Sequence, residues 1–254
     1  MIRPGGLGGV LLALGLSGVA QASAWPQPKG QGQVIVKYEA MRAEKTLGPD
    51  GRREPMYAPR VDRGLSMLVE YGLTDRLTLQ AKGEWQSGRA AFLDYEGRGP
   101  VEVGARWQVA EGQGGTLSVY AGYALAGQGR NAGYAAPGQG EQDWEVRIMA
   151  GQSRERWFGD IQLARRWRQG LPDEIRTDLT LGYHLSDDWI AMGQVFAGRA
   201  DAERRAGDAA WVSAELSAVR HLGPWSGQLG WRQTVAGRMT PVAQGPIVAI
   251  WRRF

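Results

Sequence analysis

The feature of this sequence that most constrains its fold is a repeated alternation of apolar and polar residues over segments of about ten residues. In one such segment Leu77, Leu79 and Ala81 alternate with Thr78 and Gln80. Successive side chains of a β-strand point to opposite faces, so a period of two predicts strands with one apolar face and one polar face. Helical periodicity is almost absent, and the pattern therefore predicts an all-β fold.

The segments between turn signals predict twelve strands. Each is close to the length of about 9–11 residues that a tilted strand needs to cross a bilayer. A single antiparallel transmembrane β-barrel pairs every backbone group without leaving a free edge, which a hydrocarbon environment demands. The predicted strands are 33–43, 62–72, 76–86, 100–109, 116–126, 143–152, 157–168, 174–185, 189–198, 209–220, 225–235 and 245–254.

The connections between these strands alternate between short and long. Membrane barrels have short periplasmic turns and longer external loops, so both chain ends are predicted to lie in the periplasm. The predicted short turns are 73–75, 110–115, 153–156, 186–188 and 221–224. The predicted longer connections are 44–61, 87–99, 127–142, 169–173, 199–208 and 236–244.

Aromatic residues cluster near the strand ends, where an aromatic girdle is expected at each membrane interface. Tyrosine and tryptophan favour that depth because one part of the ring system is apolar and another can form a hydrogen bond. The girdle at the short turns is predicted to contain Tyr71, Trp107, Trp157, Tyr183, Trp189, Trp225 and Trp251. The girdle at the long connections is predicted to contain Trp85, Tyr123, Trp144, Trp167 and Trp211, with Phe196 at the same depth.

The polar phase of each strand must face the barrel interior, because a Lys or Arg on the lipid face at mid-bilayer costs about 2–4 kcal/mol. These charged side chains form either a polar lumen that passes small solutes or a packed ion-pair network that fills the barrel. Barrels of about eight strands are filled by side chains and those of about sixteen leave a channel, so both interpretations stay open. The predicted interior charges are Lys37, Glu39, Glu70, Lys82, Glu84, Glu102, Arg106, Glu145, Arg147, Asp160, Arg166, Arg176, Asp178, Glu215 and Arg232.

Two strands give a less regular pattern. In 189–198 two sets of alternating residues could face lipid. They are Trp189, Ala191, Gly193 and Val195, or Ile190, Met192 and Phe196. The first choice places Gln194 inside and is preferred. In 157–168 the lipid-facing phase contains Arg165, which could snorkel to the outer interface.

The N-terminus has the pattern of a secretory signal peptide. Arg3 is followed by an apolar stretch over 10–16 and then by the small residues Ala22 and Ala24, so cleavage is predicted after Ala24. The apolar stretch is shorter than the roughly 20 residues of a membrane helix. Residues 25–254 are then predicted to form one barrel domain in the outer membrane, in contact with lipid and lipopolysaccharide.

The C-terminal residue, Phe254, follows an alternating strand that contains Val248 and Ile250, although Arg252 departs from the alternation. In this respect the chain resembles outer-membrane barrels, whose terminal aromatic residue is read by the barrel assembly machinery. The start of the predicted mature chain, residues 24–33, is similar to that of small proteobacterial outer-membrane barrels, some of which are encoded beside exopolysaccharide and biofilm genes. This resemblance implies a surface setting and transfers no catalytic residue.

Composition argues against several other classes of function. The chain contains no cysteine and two histidines, so a disulfide framework or a thiolate metal site is impossible, and no metal or cofactor is expected. Its 30 basic and 26 acidic residues are too nearly balanced for a dedicated nucleic-acid binder. An outer-membrane hydrolase would have to use His184 or His221, and both lie at predicted periplasmic strand ends.

Two further classes of function remain from the sequence. The first is a porin-like channel for small polar or charged solutes, and the second is a non-conducting accessory barrel whose loops contact polysaccharide. Arginines in the predicted loops could bind phosphate or carboxylate groups, but nearby acidic residues make an ordinary solvated surface the simpler interpretation. These arginines are Arg52, Arg53, Arg60, Arg130, Arg199, Arg204 and Arg205.

Overall fold

The structure is a computed structural model that describes residues 24–91, 93–128, 140–201 and 209–254. Residues 1–23 of the predicted signal peptide lie outside this part of the chain, so the cleavage site stays a prediction. The loop arginines Arg130, Arg204 and Arg205 also lie outside the described residues.

The described residues form twelve antiparallel strands in one closed barrel, which confirms the predicted fold class. Each strand pairs with its neighbours in the sequence, and β1 pairs with β12 to close the ring. The strands are β1 (Gly32–Leu47), β2 (Arg53–Gly72), β3 (Leu77–Ala90), β4 (Leu93–Gly112), β5 (Gly115–Leu125), β6 (Gln142–Ser153), β7 (Trp157–Arg168), β8 (Glu174–His184), β9 (Trp189–Ala200), β10 (Ala210–Leu222), β11 (Trp225–Arg238) and β12 (Thr240–Arg253).

The barrel closes through pairing between its first and last strands, with one shift in register between Ala43 and Thr46. Partners run continuously from Gln33 with Arg253 to Glu39 with Ile247. Beyond this ladder, the amide of Gly32 donates to the carbonyl oxygen of Phe254 at 2.8 Å, and the amide of Phe254 donates back at 2.9 Å. Because these bonds remove the two edges of the sheet, all twelve strands have partners on both sides.

Three of the predicted long connections are largely strand. The segments 44–61, 87–99 and 236–244 were expected to be loops, whereas the structure extends the flanking strands into them. The strands end at Leu47, Ala90 and Arg238, and the next strands begin at Arg53, Leu93 and Thr240. These residues lack a clear apolar alternation. They lie beyond the apolar band, where a strand needs backbone pairing but no lipid-facing side. The alternation between short and long connections is therefore weaker than predicted.

Side chains alternate in exposure as the sequence pattern predicts. On β5 Leu117 and Val119 are exposed on the outer surface, whereas Thr116, Ser118 and Tyr120 are buried inside the barrel. The outer surface consequently carries an apolar band of a size that soluble monomers rarely expose. Within the described residues no helix is long and apolar enough to cross a membrane.

Inward-facing glycines provide flat places against which aromatic rings pack. The ring of Phe158 lies over Gly182, where a Cβ atom would overlap the ring. Tyr120 covers Gly104 and Gly122 in the same way. Because a glycine has no side chain to pack, a large aromatic ring can lie close to the backbone at its position.

We predict that Gly182→Ala destabilises the barrel by about 1–3 kcal/mol, because the added methyl group forces Phe158 out of its packed position. The free energy of unfolding in detergent micelles measures this change. Gly227→Ala is the matched control, since a Cβ at Gly227 has no neighbour within 4 Å. Equal effects of the two substitutions would contradict the proposed packing.

Candidate functional site in the barrel interior

The two ends of the barrel differ in composition. We call the end that carries Gly32 and Phe254 the terminal end, and the end that carries the connection 48–52 and the end of β5 at Leu125 the loop end. Side chains on the inward phase form an apolar layer near the terminal end and a charged region toward the loop end. The fifteen predicted interior charges all lie on the inward phase of their strands.

The two irregular strands adopt the preferred orientations. On β9 Gln194 is buried inside, and Trp189 is exposed outside. On β7 Arg165 faces outward, as its phase requires. It forms ion pairs at the loop end with Asp201 (2.8 Å) and Asp173 (3.0 Å), so its charge is balanced by carboxylates in addition to any contact with the interface.

An N-terminal segment, residues 24–29, enters the barrel at the terminal end. The carbonyl oxygen of Ala24 accepts a hydrogen bond of 2.6 Å from the hydroxyl of Ser118 on β5. The amide of Gln27 donates to the hydroxyl oxygen of Thr78 on β3 at 2.8 Å. Sequence analysis did not predict this insertion, because the segment has no periodicity that distinguishes it from a linker.

Trp25 of this segment packs against an apolar layer. Most residues of this layer are apolar side chains at strand positions where the alternation otherwise places a polar residue, as Leu68 is on β2. These exceptions to the alternation are the feature of the sequence that could have predicted the layer. The layer fills the interior at the terminal end. It consists of Ile35, Phe158, Ile190, Met192, Val219, Ala249 and Trp251, with Trp25 and Leu68 packed against it.

The assignment of Trp251 to the aromatic girdle was wrong. Its side chain is 2% exposed and lies in the apolar layer. The reason is the parity of β12, on which Val248, Ile250 and Arg252 face outward. Trp251 must then point inward, and Arg252 lies on the outer surface over the ring of Trp225 at 5.2 Å.

A buried ion pair anchors the N-terminal segment. The guanidinium of Arg106 on β4 lies 3.0 Å from the carboxylate of Glu70 on β2, and both side chains are fully buried. The same carboxylate accepts hydrogen bonds from the amide groups of Gln33 and Gln80, and from that of Gln27 at 2.9 Å. Glu70 therefore joins the barrel wall to the segment inside it.

A cavity of about 570 Å³ lies between the apolar layer and the loop end. Ile35 and Leu68 form its floor, and Thr240 and Pro241 line it near the loop end. The interior thus combines the two alternatives that the sequence left open, because it is filled at the terminal end and hollow toward the loop end.

The charges around the cavity are arranged in two networks. In the first, Arg232 on β11 contacts Glu215 at 2.7 Å and Glu39 at 3.2 Å, and Lys37 lies 3.4 Å from Glu39. Lys82 is exposed to the cavity and lies directly opposite Glu102 in the register of β3 and β4.

The second network crosses β4, β6, β7 and β8. Arg166 contacts Glu145 at 2.8 Å and also pairs with Glu102, and Arg147 binds the same two carboxylates. Sequence analysis missed three members of this network because they lie at strand ends, where it gave no assignment to the interior. These are Asp143, Arg168 and Glu174, with Arg168 at 3.2 Å and 2.7 Å from the two carboxylates.

The assignment of Trp211 to the girdle at the loop end was also wrong. Trp211 lies on the phase of the buried Glu215, faces inward and lines the cavity. Phe196 lines the cavity as well.

The other predicted girdle residues face the outer surface. They form two bands, separated by the apolar band. Tyr71, Trp107, Trp157, Tyr183, Trp189 and Trp225 lie toward the terminal end, and Trp85, Tyr123, Trp144 and Trp167 lie toward the loop end.

Histidine chemistry is confined to the terminal end. His221 Nδ1 lies 2.8 Å from the hydroxyl oxygen of Ser226, a partner that the sequence analysis had not considered. Its Nε2 atom is buried and has no hydrogen-bond partner among the described residues. His184 packs edge-on against Phe158. No group of three or more potential metal ligands occurs in the described ranges.

The fold is similar to several solved barrels. No family model and no curated protein matches the sequence. The COG4313 outer membrane channel from Pseudomonas putida F1 superposes with a TM-score of 0.75 at 14% identity, over 93% of this chain and 100% of that one. The KdgM porin gives 0.58 at 8% identity over 87% and 99% of the two chains. The translocator domain of the autotransporter NalP from Neisseria meningitidis gives 0.54 at 13% identity, with 90% of each chain covered.

These likenesses concern the fold. At such identities they show that the chain has the architecture of outer-membrane barrels, and the side chains that line its interior are its own. The interior chemistry must therefore be argued from this chain's residues.

We predict that Glu70→Ala lowers the free energy of unfolding by about 3–5 kcal/mol, because it removes the carboxylate that lies 3.0 Å from the buried guanidinium of Arg106. Denaturant titration in micelles measures the loss. Glu84→Ala is the control, since Glu84 is only half-buried, and its removal should cost about 1 kcal/mol or less. A change of less than about 1 kcal/mol for Glu70→Ala would contradict the anchoring role of the pair.

Proposed function

We propose that this protein is an outer-membrane channel for small polar or charged solutes. The observation that carries the proposal is the hollow, charge-lined interior inside an apolar outer surface. A solute of modest size fits a cavity of about 570 Å³, and paired charges on opposite walls can replace part of its hydration. The architecture shared with the channel from Pseudomonas putida and with the KdgM porin is consistent with this function.

The same proposal includes the setting of the barrel. Two aromatic bands on either side of an apolar band support a transmembrane position in contact with lipid and lipopolysaccharide. The terminal end faces the periplasm, and Phe254, exposed at the last strand, serves the barrel assembly machinery. Export requires removal of the signal peptide after Ala24.

Mass spectrometry of the protein purified from outer membranes tests this export route. We expect the mature chain to begin at Trp25, because the small residues Ala22 and Ala24 form the cleavage signal before it. Recovery of the intact chain from Met1 in folded protein would contradict the cleavage proposal.

In the proposed channel the N-terminal segment narrows the terminal end. In the mature chain, which begins at Trp25, it is held by hydrogen bonds to Thr78 and Glu70 and by the packing of Trp25. Conduction through the resting protein is therefore small, and displacement of this segment enlarges the path.

Planar bilayer recordings test the channel. We expect a small ion conductance for the wild-type protein and a severalfold larger one for the double variant Trp25→Ala, Gln27→Ala, in which the segment loses the packing of Trp25 and the side-chain hydrogen bond from Gln27 to Glu70. Lys29→Ala is the control, since Lys29 is exposed and bonds the wall through its backbone amide. If folded wild-type protein and the double variant are both silent, the channel proposal fails.

A second candidate function is a non-conducting accessory barrel that contacts exopolysaccharide or another envelope partner. The filled terminal end favours it, since a barrel closed there needs no solute path. This candidate predicts that the double variant is also silent and that deletion alters adhesion without altering solute uptake.

A further inference from the structure

Two aromatic side chains occupy an unexpected position in the interior. Trp211 on β10 and Phe196 on β9 line the charged cavity. In a membrane barrel, large aromatic residues near strand ends usually face outward, at the interface with lipid. Both are half-buried. An apolar ring that stays in contact with water has an unfavourable hydration free energy, which a ligand could remove by covering it. We call these two residues the aromatic platform.

The ring of Trp211 lies flat against the barrel wall. It covers Gly198 on β9, where a Cβ atom would overlap the indole, so that only a glycine allows this position. Gly198 lies opposite Arg176 of β8 in the register. One face of the indole is therefore against the backbone, and the residue lines the cavity.

Phe196 continues the platform toward β8 and β11. The guanidinium of Arg232 lies over its ring at 4.4 Å from the centroid. In the register Phe196 faces Asp178 of β8 on one side and Ser213 of β10 on the other. The platform is thus bordered by a carboxylate and a hydroxyl group.

The charges beside the platform favour an uncharged ligand. Arg232 is already neutralised by Glu215 and Glu39, and Arg176 lies 3.7 Å from Glu145. Asp178 has no hydrogen bond or ion pair among the described residues. The border of the platform therefore offers a hydrogen-bond acceptor, and the negative charge of Asp178 disfavours an acidic ligand.

From this arrangement we infer that the aromatic platform is a binding site for a neutral saccharide. A sugar ring has an apolar face of C–H groups that can cover the indole, and its hydroxyl groups can donate to Asp178 and exchange hydrogen bonds with Ser213. The inference rests on the proposed channel function and specifies its solute class.

Isothermal titration calorimetry on the full folded chain in detergent tests the site with defined probes. The neutral probes are maltohexaose and cellohexaose, and the acidic probe is hexagalacturonic acid. We expect at least one neutral probe to bind with a dissociation constant in the millimolar range and the acidic probe to bind more weakly. Asp178→Asn should weaken the neutral ligand by about tenfold, because it removes the charged acceptor.

Trp211→Ala should weaken the neutral ligand by about tenfold or more, whereas Trp211→Tyr should retain much of the affinity because it keeps an aromatic face. Trp231→Ala is the matched control, since Trp231 is 52% exposed on the outer surface. Heat-modifiable migration on gels confirms that each variant is folded.

Three results would overturn the inference. They are the absence of binding by both neutral probes, tighter binding of the acidic probe, and equal losses for Trp211→Ala and Trp231→Ala. The bilayer conductance of the wild-type protein without sugar is measured separately. If the barrel conducts ions but binds no neutral saccharide, the proposed solute class is wrong and the channel proposal stands. If it binds a neutral saccharide but does not conduct, the channel proposal is wrong and the binding site stands.

Discussion

Backbone pairing around a closed ring is the constraint on which the rest of the structure depends. In an apolar environment each unpaired amide or carbonyl group costs several kcal/mol, so a sheet in such an environment must have no edge. The pairing of β1 with β12 meets this requirement, and the alternation of apolar and polar residues then sets which side of each strand faces outward. Once that parity is set, the outer apolar band, the inner charges and the aromatic bands follow from the sequence.

The alternation of residues therefore predicted most of the fold. It gave the number of strands, their order and nearly all of their orientations, because a one-residue slip would turn a set of charges toward lipid. It failed where this penalty is absent. The strands β1 to β4, β11 and β12 extend beyond the apolar band, where backbone pairing alone decides, and the sequence there reads as loop because Gly, Pro and Arg are frequent.

The interior was less predictable because its contacts are distant in the sequence. The off-phase residue Leu68 signalled the apolar layer, but no local pattern indicates that Trp25 packs against it. Trp211 and Trp251 were misassigned because tryptophan occurs both at membrane interfaces and inside packed barrels, and position near a strand end does not distinguish the two. Parity does distinguish them, and it places both side chains inside.

Spin labels on single introduced cysteines measure most directly which side chains of each strand face the barrel interior and which face lipid. Because the chain contains no cysteine, no native residue has to be replaced first. Labels would be placed at Leu163 and Leu179 on the outer face and at Lys82 and Asp178 on the inner face, with the protein in lipid bilayers. We predict greater accessibility to oxygen for the outer pair and greater accessibility to a water-soluble nickel complex for the inner pair. Equal accessibilities, or the reverse order, would contradict the assignment of the two faces.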